Sequence, residues 1–72
     1  MILYQLTDAG FKVARNPYLP KTNRTKVLYE MAKHVSIDRD RLAALTNLTL
    51  GEVAAVLNGL QNEEPSLARK GG

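Results

Sequence analysis

Few residues in this chain are of types that perform covalent chemistry. His34 is the sole histidine and cysteine is absent, so neither a disulfide framework nor a cysteine–histidine zinc site can be built. His34, Ser36 and Asp38 lie close in sequence, but nucleophilic catalysis needs a base, a nucleophile and an orienting carboxylate set in space, which adjacency does not supply. No glycine-rich phosphate loop and no cluster of metal-ligating side chains is legible. His34 reads instead as the end of a helix, where a partly charged imidazole meets the dipole favourably. The expectation is a protein that is not an enzyme and carries no cofactor and no metal.

What remains are groups that bind rather than react. Ten lysines and arginines against seven acids give a formal net charge of +3 and a pI near 9.5, which favours anionic partners. Residues 1–33 carry Lys12, Arg15, Lys21, Arg24, Lys26 and Lys33 against Asp8 and Glu30. Residues 34–64 reverse the sign, with Arg39 and Arg41 against Asp38, Asp40, Glu52, Glu63 and Glu64. Arg69 and Lys70 close the chain, so the basic surface belongs to the two ends.

These groups must be positioned by a small scaffold. A chain of 72 residues has room for one domain, residues 1–72, with one small core, which needs efficient packing or self-association for stability. Hydrophobic residues make up 44% and charged residues 24%, ordinary for a globular domain, and no apolar run approaches the roughly 18 residues that span a bilayer. The opening Met-Ile-Leu-Tyr-Gln-Leu-Thr-Asp lacks the basic and long apolar regions of a signal peptide, and a cytoplasmic protein without a membrane partner is expected. No small-molecule substrate is evident.

Residues 2–6 read as a strand, with Ile2, Tyr4 and Leu6 on one face. Thr7 then caps a short helix over 8–16 that buries Phe11 and Ala14 and stops before Pro17. A competing reading makes Asp8-Ala9-Gly10 the turn of a hairpin whose second strand is 11–15. Thr22 or Asn23 caps a helix over 24–34, with Val27, Leu28, Met31, Ala32 and Val35 on one face. Residues 35–37 could add a minor strand. Asp38 caps a helix over 39–46 that buries Leu42, Ala43 and Leu45, and Asn47 ends it because asparagine tolerates the left-handed conformation. Thr49, with Glu52 three residues on, forms a capping box for a fourth helix with Leu50, Val53, Leu57 and Leu60 on one face. Beyond Pro65, residues 66–70 could form a short strand.

The stretch Leu42-Ala43-Ala44-Leu45-Thr46-Asn47-Leu48-Thr49-Leu50-Gly51-Glu52-Val53-Ala54-Ala55-Val56-Leu57 resembles the helix-turn-helix of winged-helix regulators. Ala43 is small where two helices cross, Asn47 takes the tight turn, Leu48 plugs the corner, and Val53 and Leu57 anchor the second helix. A plain helical hairpin is the alternative. The resemblance implies a mainly α fold with a small β-sheet, a winged helix-turn-helix. Winged-helix proteins also close with a wing strand, Leu-Thr-x-x-Gly and a helix, and Tyr4-Gln-Leu-Thr-Asp-Ala-Gly10 looks like that element, although here it stands first. The implied arrangement is a circularly permuted winged helix, with residues 2–6 pairing beside 66–70 in the same chain or a swapped partner. Chance occurrence of Leu-Thr-x-x-Gly is the alternative.

The resemblance implies duplex DNA as partner and a role in transcription or replication control. Exposed positions of the fourth helix that would face the groove are Thr49, Gly51, Glu52, Ala55 and Asn58, none of them basic. Affinity would then come from Arg69 and Lys70 in the wing, Lys12 and Arg15 on the first helix, and Lys21, Arg24 and Lys26 around the second. A rival use of the same fold is a protein-interaction or homodimer face made by the small residues Gly51, Ala55 and Gly59, spaced four apart.

Overall fold

Every helix among the described residues begins at a residue whose side-chain oxygen accepts a backbone N–H of the first turn, satisfying a donor that the helix cannot pair internally. In the computed structural model, which describes residues 1–71, the caps are Thr7, Thr22, Asp38 and Thr49. They open α1 (Asp8–Ala14), α2 (Asn23–Ala32), α3 (Arg39–Thr46) and α4 (Leu50–Asn62). Three short strands, β1 (Leu3–Leu6), β2 (Ile37–Asp38) and β3 (Ala68–Lys70), complete a mixed helix and sheet architecture.

The strands form one antiparallel sheet in the order β2-β1-β3. Tyr4 stands opposite Ile37 on one side and Lys70 on the other, and Gln5 and Leu6 pair with Arg69 and Ala68. Past β3 the Gly71 N–H still donates to the Leu3 carbonyl at 2.9 Å. The two ends of the chain are thus neighbouring strands of one sheet, paired within a single molecule.

The core lies between this sheet and the helices. Val27, Leu28 and Met31 of α2, Leu42 of α3 and Val53, Leu57 and Leu60 of α4 are buried with Tyr4, Leu6, Ile37, Leu67 and Ala68. Full burial of such a side chain contributes roughly 1.5–3 kcal/mol. Thr46 is one of two buried threonines, with Thr25, and its hydroxyl donates to the Leu42 carbonyl one turn back, so it is buried without losing a hydrogen bond.

Leu6, Thr7 and Gly10 each have a physical reason in the packing. Leu6 is buried in the core. The Thr7 hydroxyl accepts from Gly10 N–H and donates to the Ser66 carbonyl, while Thr7 N–H donates to the Leu67 carbonyl. Gly10 is buried where a Cβ would stand 2.0 Å from the Leu67 carbonyl oxygen. Only a glycine lets α1 lie that close to the chain leading into β3.

Several expectations from the sequence need correction. Residues 8–14 are helical, so the hairpin reading fails, but α1 ends at Ala14 rather than Asn16 and buries Gly10 fully while Phe11 and Ala14 are half-buried. α2 ends at Ala32 rather than His34. Its last turn tightens as Lys33 N–H donates to the Glu30 carbonyl, so Ala32 is exposed and Val35 is 87% exposed. The second strand is Ile37–Asp38 rather than 35–37, and the third begins at Ala68 rather than Ser66. Leu45 and Leu50 are 43% and 52% exposed because the chain reverses between them. Asn47 adopts φ 59°, α3 and α4 meet at 111°, and the turn of α3 facing the core carries Leu42 and Thr46 instead. No single helix among the described residues is long and apolar enough to cross a membrane.

Candidate nucleic-acid interface

α4 is held at its start by a reciprocal box. Glu52 N–H donates to Thr49 Oγ1 at 3.1 Å and Thr49 N–H donates to Glu52 Oε1 at 3.0 Å. The backbone N–H of Thr49, then its hydroxyl, then the Asn23 amide donating to Oε2 at 3.2 Å, with Lys26 nearby, hold the Glu52 carboxyl below the usual carboxylate range. The one acid on the first turn of this helix is therefore bound down at the positive end of the helix dipole and turned toward α2. Thr49 spends its hydroxyl in the same box.

Packing of Val53, Leu57 and Leu60 against the core leaves the other side of α4 to solvent. Gly51, Ala55, Asn58 and Gly59 are exposed there. A Cβ on Gly59 would meet nothing within 4 Å, and one on Gly51 only the Thr49 hydroxyl at 3.9 Å. Neither glycine is required by a contact within the chain. Asn58 Oδ1 accepts from the Asn62 side-chain Nδ2 at 3.4 Å, at the edge of hydrogen-bonding range.

Along the flank nearest the sheet, Ala54, Asn58 and Gln61 recur at the helical spacing of four and three and line a depression of about 170 Å³. Arg39 from the first turn of α3 and Lys70 from β3 line the same depression, together with Tyr4 and Leu57. Two cations and two carboxamides thus line one depression from three elements. Guanidinium and ammonium groups pair with phosphate oxygens, and carboxamides both donate to and accept from base edges. Arg39 and Lys70 form no ion pair within 4 Å among the described residues.

The other site residues expected from the sequence do not gather here. Arg69 and Lys70 are adjacent in a strand and so point to opposite faces, and Arg69 lines a separate depression with Thr7, Asp8 and Ser66. Arg24 is engaged by Glu63 through a forked pair, Nη2 to Oε1 at 2.9 Å and Nε to Oε2 at 3.2 Å, which ties α2 to the end of α4. Lys12 is exposed on α1. Arg15, Lys21 and Lys26 line a groove between the segment after α1 and helix α2.

Two residues lining this depression, Arg39 and Gln61, are not among those expected from the sequence. Gln61 was legible as the next member of the Ala54, Asn58 row. Arg39 sits in an acidic stretch, and only the strand pairing that brings β2 beside β1 carries it to the flank of α4. Searched against protein-family models, curated proteins and solved structures, the chain gives no match.

Proposed function

We propose that this chain is a winged helix-turn-helix protein that binds duplex DNA, with α4 entering the major groove and the β1–β3 ribbon lying beside it as the wing. The observation that carries the reading is the convergence of Arg39, Asn58, Gln61 and Lys70 on one flank of an otherwise unpartnered helix. Support also comes from the 111° angle between α3 and α4, within the range of about 90–120° of helix-turn-helix pairs. The spatial order of β3, Gly71, β1 and α1, strand, glycine, strand and helix, supports reading them as a circularly permuted wing with its closing helix.

Arg39 and Lys70 supply contacts to phosphate, and Asn58 with Gln61 supplies the groups that reach bases. The first turns of α4 present Gly51 and Ala55, which allow close approach but carry no sequence information. The protein therefore holds DNA with modest sequence preference, in a setting of transcription or replication control. The test is fluorescence anisotropy with a random-sequence duplex across a salt series. Binding at low salt that weakens linearly in log salt is expected, and no binding at low salt overturns the proposal.

A second reading rests on the glycines of α4, which have no role inside the chain. Two copies of the Gly51, Ala55, Gly59 face could pack closely as an isologous dimer. Ala55→Arg separates the two: it abolishes a helix-packed dimer seen by sedimentation, and it preserves or strengthens a DNA complex.

A further inference from the structure

The groove beside α2 is not absorbed by the DNA reading. It has a volume of about 520 Å³, within the range of roughly 300–1,000 Å³ that binding sites occupy. Ala14, Pro17, Leu19, Pro20 and the ring of Tyr29 give it apolar walls. Arg15, Lys21 and Lys26 are its only charged members, and none of the three forms an ion pair within 4 Å among the described residues. Lys33 Nζ, which also reaches Glu30 at 3.5 Å, stands 4.3 Å from the centroid of the Tyr29 ring, so a further cation adjoins this wall.

Two prolines and a set of hydrogen bonds hold the walls. Pro17 and Pro20 restrict the backbone, and Tyr18 N–H donates to Asn16 Oδ1 at 3.0 Å. The Thr25 hydroxyl donates to the Pro20 carbonyl, and Thr22 N–H donates to the same carbonyl at 3.0 Å, locking the far wall to the start of α2. A rigid groove loses little entropy on occupation.

We propose that this groove docks an acidic, amphipathic peptide segment of a partner protein, with one apolar side chain set between Leu19 and Tyr29 and carboxylates meeting Arg15, Lys21 and Lys26. Charge complementarity sets the choice of occupant, because every charged wall residue is positive. The apolar walls argue for a peptide over a nucleic-acid backbone, whose phosphates would use the cations and leave Ala14, Leu19 and Pro20 uncovered. An apolar anchor in a pocket with a charged rim is the usual division between affinity and selectivity.

The test titrates the full chain with a short labelled peptide of alternating Glu and Leu carrying one Phe, read by anisotropy and by amide chemical shifts. Saturable binding with shifts at Ala14, Leu19, Lys21 and Tyr29 is expected, weakened about tenfold or more in the exposed double variant Arg15→Glu, Lys21→Glu. An all-Glu peptide must bind at least about tenfold more weakly, since equal binding would mean that charge alone acts. The proposal is overturned by absence of saturation, by shifts that map elsewhere, or by an oligothymidine single strand that binds the same residues as tightly as the peptide. Duplex binding through α4 is read separately, so either proposal can fail alone.

Discussion

Two segments of this chain start alike and end with opposite purposes. Leu6-Thr7 opens α1 and Leu48-Thr49 opens α4, each threonine caps its helix, and each helix carries a glycine in its first turn, Gly10 and Gly51. At α1 the cap hydroxyl also donates to Ser66, and Gly10 is pressed against the Leu67 carbonyl, so the helix start is welded to β3. At α4 the cap is closed locally by Glu52, and Gly51 is exposed, where a Cβ would meet only the Thr49 hydroxyl in ordinary contact at 3.9 Å. The same local code yields one helix start built to be covered and one left free to be approached. The cap fixes where a helix begins, while the surroundings of the nearby glycine decide whether the helix start is covered or open.

The largest effect is expected from adding one methyl group at Gly10. Gly10→Ala is expected to destabilise the fold by about 3 kcal/mol, an overpacking cost with rigid backbone as the obstacle, measured by urea denaturation. A neutral effect would show that α1 is not welded to the chain before β3. The caps come next. Thr7→Ala should cost about 2 kcal/mol, because it removes both a cap and the strap to Ser66, whereas Thr49→Ala should cost about 1 kcal/mol. Equal losses would erase the distinction between a tied and a free helix start.

Gly59→Ala inverts the sign. With nothing within 4 Å of the new Cβ, it should stabilise α4 by roughly 0.5–1 kcal/mol through helix propensity alone. The smallest effect concerns acid. Because the folded Glu52 carboxyl titrates below its unfolded value, its contribution is present at neutral pH and is lost as the pH falls through the folded pKa, below the ordinary carboxylate range. Glu52→Gln should flatten that part of the acid limb of a thermal-stability profile, and an unchanged limb would show that the box is not closed in solution.

Much of the scaffold was legible in the residues. Thr7, Asp38, Asn47 and the Thr49–Glu52 box marked helix ends because capping and left-handed turns depend on a few local side chains. The apolar rows of α2 and α4 named Val27, Leu28, Met31, Val53, Leu57 and Leu60 for the same local reason. Leu45, Leu50 and Val35 were misplaced because their exposure depends on where a neighbouring element turns away, which periodicity does not encode. The candidate interface was half legible. Asn58 and Lys70 were named from the sequence, but their meeting with Arg39 follows from the central position of β1, and the groove around Leu19 depends on how a proline-rich connection folds back on α2.

The central claim is that the α4 flank, and not the groove, holds DNA. Its most direct measurement compares the salt dependence of random-duplex binding in the wild-type chain, in Arg39→Gln with Lys70→Gln, and in Arg15→Gln with Lys21→Gln. The account predicts that the first pair lowers the slope of log K against log salt by about 2 and that the second pair leaves it unchanged. A slope lost in the second pair and retained in the first would contradict it.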